Sequence, residues 1–292
     1  MPVGNSSLAF LLRSRAALRP GVPVVFAQVD ETTIAQLTPP RDVTGVIMKL
    51  QLSDMITSAR AVVPDLKRVA FVGDAWETQT AYRQWKEQIP SATDGLEVID
   101  LIGLPMRELR QKIMVLPANT AILYSAIYSD GEGTFYPPVQ ALALVAERAN
   151  RPIVISVETF LGHGGIGGFV MVPALMGDSA ARLALRVING ESPESIPASA
   201  GDIVRPIFDW RQMQRWGVSA SNLPRGSEIR FRAPTAWEQY SAQIVAIIAA
   251  LLFAGCADLL ADLRTSSSPS CRGPGASFDG RTDPAESLGD SG

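Results

Sequence analysis

The stretch VPVVFAQVDETTIAQLTPPRDVTGVIM, residues 22–48, decides the fold class. Pro23 to Val29 is a β-branched and aromatic run that reads as a buried strand ending near Asp30. Glu31 to Leu37 reads as a short helix, and Val43 to Met48 is again a strand. Strand, helix and strand in such a short span is the crossover unit of a parallel sheet, because parallel neighbours cannot be joined by a tight turn.

The same alternation continues on both sides. Toward the N-terminus, Asn5, Ser6 and Ser7 offer capping oxygens for a helix running to about Leu18. Toward the C-terminus, Ser53 to Val63 reads as a helix stopped by Pro64, with Asp54 in its first turn. A second series then opens with a strand at Val69 to Gly73 and a helix at Trp76 to Gln88. It continues with strand 96–101, helix 105–116, strand 120–125, helix 137–150 and strands 153–157 and 169–172. The helix from Leu175 to Asn189 ends at Gly190, a residue suited to closing a helix, and strand 203–208 and helix 209–216 complete the pattern.

Composition narrows the function. The chain has 292 residues, 47% hydrophobic, with a formal net charge of −3, enough apolar material for two α/β units and no basic footprint for nucleic acid. His163 is the sole histidine, which removes the usual base of a nucleophilic pair and the usual zinc ligands. The two cysteines, Cys256 and Cys271, lie in an apolar run and a polar tail without metal-ligand spacing. Neither a metal nor a cofactor is expected. Met1-Pro2-Val3 lacks a basic leader, and Leu8 to Leu12 is short for a secretory signal.

Two motifs invite chemistry. Gly162-His163-Gly164-Gly165-Ile166-Gly167 spells a dinucleotide fingerprint, but a strand-like run, Phe169 to Val172, follows where a helix would have to hold the pyrophosphate. A glycine loop between strands is the better reading. Polar residues also recur just past strand ends, at Asp30 and Glu31, Asp74 and Glu77, Ser125 to Asp130, and Glu158 with Thr159. Ligands of open α/β sheets bind there, so together these residues argue for one crevice with Trp76, Tyr124, Tyr128, Phe135, Tyr136 and Phe160 beside it. Asp74, Asp130 and Glu158 leave a hydrolase open as a weaker alternative, since nothing fixes a catalytic separation.

After Pro234 the character changes. Ile244 to Ala257 is an unbroken apolar run, short for a bilayer, that reads either as a packed terminal helix or as a spanning one introduced by Trp237 and Tyr240. Thr265 to Gly292 is polar and expected to be disordered.

The ordered segments GNSSLAFLLRSR, VPVVFAQVDETTIAQL, DVTGVIMKLQLSDMI, VPDLKRVAFVGDAWETQ, AILYSAIYSDGEG, RPIVISVETFLGHGGIGGFVM and GDSAARLALRVINGESPESIP resemble the ABC-transporter substrate-binding-protein-like family over roughly residues 3–218. The wording is most similar to the branch that forms the extracytoplasmic sensor region of bacterial sensor histidine kinases, with RAPTAWEQY (Arg232 to Tyr240) before a membrane helix. The resemblance implies a two-lobed α/β fold of the type I periplasmic-binding-protein kind. Residues 1–66 and 171–192 would form the first lobe, 67–170 and 193–222 the second, and 223–240 a connector. Residues 241–261 would be a membrane helix and 262–292 a disordered tail. By matched position it implies Asn5, Ser6, Asp30, Asp74, Trp76, Ser125, Tyr128 and Glu158 as ligand contacts.

The function so implied is capture of a small solute between two lobes, without catalysis, at the periplasmic face of the inner membrane. The partners are the solute, the membrane through the apolar helix and, in the intact sensor, a second copy. The alternative is a stand-alone solute-binding protein serving an ABC permease. The family's first strands are expected to be missing from the first lobe, and the change to TSSSPSCRGPG reads as translation out of frame, with the kinase lost.

Overall fold

Every strand expected from the apolar runs forms, and the strands sort into two sheets. The computed structural model describes residues 1–18, 21–78, 80–233 and 242–251, with the side chains of residues 80–83 left out. Two units follow one another along the chain, Met1–Arg232 and Ala233–Gly292. The first begins with α1 (Asn5–Leu18), β1 (Val24–Asp30), α2 (Glu31–Leu37), β2 (Val43–Met48) and α3 (Leu52–Val62). It continues through β3 (Arg68–Gly73), α4 (Thr80–Ala92), β4 (Glu97–Ile102), α5 (Met106–Ile113), β5 (Thr120–Tyr124) and α6 (Pro138–Ala146). Then come β6 (Ile153–Ile155), β7 (Gly167–Met171), α7 (Pro173–Ile188), β8 (Ser199–Ala200), β9 (Val204–Asp209), α8 (Trp210–Trp216) and β10 (Glu228–Arg230).

The smaller sheet has the order β1-β2-β8 and is parallel throughout. The larger has the order β10-β9-β7-β6-β5-β3-β4, parallel except where β7 meets β9. β3 and β5, both interior strands, are almost wholly apolar and buried, as expected for parallel strands covered by helices on both faces. α1 lays Leu8 against Val24, Phe26, Val29 and Val43 on one face of the smaller sheet. α7 covers the other face, where Met176 and Ala180 join Ala27 and Val46 in the main core.

Sheet membership differs from the division that the resemblance implied. α3, expected with residues 1–66, packs on β5, β6 and β7, and its Ser58 Oγ accepts the Phe169 N–H at 3.0 Å. The short strand β8, expected with residues 193–222, adds to β2 of the smaller sheet. The chain therefore passes between the sheets three times, from β2 to α3, from β7 to α7 and from β8 to β9. The last two passages are tied together where Val172 N–H donates to Ile203 O at 2.8 Å.

One irregularity in β1 matters below. Between the pairs Phe26 with Gly45 and Val29 with Ile47, β1 spends one more residue than β2, which makes a β-bulge. Gln28 sits in it with φ +57° and is the sole exposed residue of the strand.

The expected membrane helix 241–261 falls mostly outside the described residues. Residues 242–251 are helical, and among the described residues no helix is long and apolar enough to cross a membrane.

Candidate functional site

A cavity of about 1010 Å³ opens where strand ends, the first turn of α1 and two of the three passages come together. One wall comes from the smaller sheet, with Val3 to Ser7, Gln28 and Met48. The facing wall comes from the larger sheet's strand ends and their loops, with Asp74, Thr78, Ala126, Tyr128, Ser129, Phe135 and Thr159. Leu50, Met171 and Pro173, at the passages between the sheets, line it as well.

The α1 wall follows from local backbone chemistry. Pro2 O accepts from Ala27 N–H and Gly4 N–H donates to Ala27 O, which fixes residues 2–4 alongside β1. Gly4, at φ +86°, turns the chain into the helix, and a Cβ there would meet nothing within 4 Å. The first intrahelical bond found is Leu8 N–H to Gly4 O, so the earlier amides of the first turn have no acceptor in the helix. That turn contains no acidic residue of its own and contributes Asn5, Ser6 and Ser7 to the cavity lining, while the buried Asp30 carboxylate beside it accepts from the Asn5 side chain.

The opposite wall is organised by two aspartates. Asp74, at the end of β3, accepts from Tyr128 N–H at 2.9 Å and 3.1 Å and from Ser129 N–H at 3.2 Å. Asp74 as a residue is 6% exposed and still lines the cavity. Asp130 closes the hairpin that displays Tyr128, Ser129 and Phe135, accepting from Met106 N–H at 3.1 Å, Glu132 N–H at 3.0 Å and Thr134 N–H at 2.9 Å. The Tyr136 hydroxyl donates to it at 3.3 Å. Burial alone would raise this carboxyl's pKa, but the amides of Met106, Thr134 and Glu132 and the Tyr136 hydroxyl outweigh it and hold the pKa below the ordinary 3.8.

A group with a lowered folded pKa stabilises the native state above its unfolded pKa, and the contribution is lost as pH falls through the folded value. Acidification below about pH 4 is therefore expected to loosen this hairpin before the sheet melts. Hydrogen exchange of the Glu132 and Thr134 amides should accelerate there, and Asp130→Ala should remove that step at a cost near ~1 kcal/mol, since the group is partly solvated.

Of the residues expected to touch ligand, Asn5, Ser6, Asp74 and Tyr128 line the cavity. Asp30 does not: it is 2% exposed, caps α2 by accepting from Thr33 N–H at 2.7 Å, and holds the Asn5 amide. Asn5 is thereby a brace for the first turn of α1 as much as a wall of the cavity. Trp76 is buried edge-on against Phe71, with ring centroids 6.0 Å apart. Ser125 turns inward and donates to Val72 O at 3.3 Å. Glu158 begins a 3-10 turn whose Thr159 and Phe160 line the cavity, while its own carboxylate is ion-paired with Arg230 on β10. Matched position in the family suggested these four, with strand-end position beside it for Asp30, Ser125 and Glu158, and neither tells a side chain aimed at ligand from one consumed in capping, pairing or packing.

Ser7, Gln28, Thr78, Ser129 and Thr159 were not among the expected contacts and do line the cavity. Ser7 and Ser129 are sequence neighbours of expected contacts, and Thr159 stands beside Glu158 among the strand-end polar residues. Gln28 had no sequence signal, because the bulge that exposes it depends on the pairing with β2. In the glycine loop, β7 begins at Gly167 and no helix follows, which agrees with a structural role for the fingerprint.

The profile of the family described as ABC transporter substrate binding protein matches residues 4–223, three quarters of the chain. The chain belongs to that family. Solved structures similar to this substrate-binding protein include the ligand-free, open form of a substrate-binding protein with adhesive properties from Clostridium difficile. That one is 14% identical, with 78% of this chain and 76% of that chain covered and a TM-score of 0.60. A domain in complex with L-Trp from Streptococcus pneumonia is 15% identical, covering 78% and 77%, with a TM-score of 0.55. A conserved domain protein from Vibrio cholerae is 14% identical, covering 77% and 76%, with a TM-score of 0.54. At these identities the likeness concerns the fold. No curated protein matches the chain.

Proposed function

We propose that the protein captures a small zwitterionic solute of the amino-acid class outside the cytoplasmic membrane, by closure of its two lobes over the cavity. The observation that carries this reading is the split polarity of the cavity. The N-terminal turn of α1 stands on one wall and the Asp74 carboxylate on the other, and no Lys, Arg or His is in the lining. A carboxylate is favoured at the first and an ammonium beside the second. Between them, Tyr128 and Phe135, 54% and 83% exposed, offer rings to an apolar or aromatic substituent. Closure follows by mass action if the closed form binds the solute better than the open one.

A thermal-shift series on the full chain tests this. L-tryptophan, which the similar Streptococcus domain holds, and L-leucine are expected to raise the melting temperature, by about 2.7 kcal/mol of stabilisation at a hundredfold excess over Kd. Neutral polyols are expected to leave it unchanged. A response to polyols and none to amino acids would overturn the zwitterion reading.

A second reading concerns output. Membership of the ABC transporter substrate-binding family favours delivery to a permease, and the Arg232 to Tyr240 stretch with the apolar run after it supports the second reading, transmission of closure to a sensor histidine kinase. An open frame for a kinase core in the flanking DNA supports the sensor; a neighbouring permease gene without one supports delivery.

A further inference from the structure

We infer that Gln28 is a specificity residue of this site and that its side-chain amide reads the carboxylate end of the solute; this rests on the amino-acid reading above. In β1 the residues on either side of Gln28 are buried, and the chain inserts one extra residue at this point. The insertion lets Val29 join Val24 and Phe26 in the core under α1, and it turns Gln28 out of the sheet into the cavity wall. A glutamine at φ +57° is in a region that glycine occupies far more readily, so the local backbone does not choose this residue type. Bulges that re-aim a side chain are found beside binding sites. A strained, exposed, polar residue inside an otherwise buried strand points to a task outside the fold.

Its position names the task. Ala27, the residue before it, exchanges hydrogen bonds with Pro2 and Gly4, so Gln28 emerges beside the first turn of α1. None of the hydrogen bonds among the described residues uses its side chain, which leaves the amide N–H groups available as donors to an anionic group placed there. As a neutral group it adds donors without a counter-charge that would compete with Asp74 on the far wall.

The test uses the full chain, with L-tryptophan, L-leucine and their methyl esters as probes in calorimetric titration, on wild type, Gln28→Gly and Gln28→Glu. Gln28→Gly relieves the backbone, so its melting temperature is expected to hold or rise, while affinity for the free amino acids falls about tenfold, the worth of one hydrogen bond to a charged group. The methyl esters, which keep the ammonium and the substituent but lack the carboxylate, are expected to bind both proteins within about twofold. Gln28→Glu, of the same shape, is expected to reject the free amino acids further and spare the esters. Unchanged amino-acid affinity in Gln28→Gly, or an equal loss for acids and esters, would overturn the inference while leaving the amino-acid reading intact. A wild-type chain that binds neither free amino acid would sink that reading and this inference with it.

Discussion

Replacing Gly167 by alanine is expected to destabilise Met1–Arg232 by about 4 kcal/mol or more, at the upper end for single substitutions. Gly167 opens β7 at the place where the larger sheet changes from parallel to antiparallel pairing, with β6 on one side and β9 on the other. A Cβ there would lie 2.1 Å from Ile207 O and 2.7 Å from Phe208 Cα, both backbone atoms of the paired strand β9. Neither can move like the end of a flexible side chain. The residue also has φ +114°, where an L side chain is strained even with space around it. Alanine must therefore push β9 away and loosen a pairing on which β10 depends in turn. Chemical denaturation followed by tryptophan fluorescence would measure it, and a loss below about 1 kcal/mol would show that the β7–β9 contact yields more easily than its geometry indicates. Gly4→Ala is a useful control for backbone conformation alone, since its φ is also positive but its added Cβ meets nothing within 4 Å.

The second large effect is on binding. Asp74→Ala is expected to lower affinity for a zwitterionic solute at least about a hundredfold, because a buried charge partner and the loop it holds disappear together. The Tyr128 and Ser129 amides lose their acceptor, so the hairpin bearing Tyr128 and Phe135 should also become mobile, at a stability cost of about 2–4 kcal/mol. Asp74→Asn separates the two contributions. Its side-chain oxygen can still accept from those amides, so stability should largely return while affinity for the ammonium end does not. Full recovery of affinity in Asp74→Asn would mean that Asp74 serves the loop and not the solute.

The two aspartates and Glu158 show how far sequence reasoning about a site extends. Asp74, Asp130 and Glu158 all stand past strand ends, and that position alone did not distinguish them, although family resemblance named only Asp74 and Glu158 as ligand contacts. In the structure, Asp74 lines the cavity, Asp130 is spent on closing a hairpin, and Glu158 is spent on Arg230, which lies 72 residues further along the chain. The position of a strand end is local information, whereas the partner that claims a carboxylate is not. Gln28 makes the opposite case. An alternating apolar strand would have buried it, and the extra residue that exposes it exists only because β1 is matched against β2.

By itself the sequence determined the longer strands and most helices, though not the short strands β8 and β10. Runs such as VVFAQV and VAFVG can satisfy their backbone and bury their side chains in few ways, and the crossover helices between them require parallel neighbours. It also carried the family's ordered segments and pointed to a structural role for the glycine loop, because a strand-like run follows it. Only the tertiary structure decided which sheet takes α3 and the two-residue β8, whose apolar faces suit either. It alone decided that β7 and β9 run antiparallel, that β10 closes the sheet, and which polar side chains meet across the cavity. Those outcomes depend on pairing between residues far apart in the chain, and hydrophobic periodicity, a property of neighbours, carries no record of them.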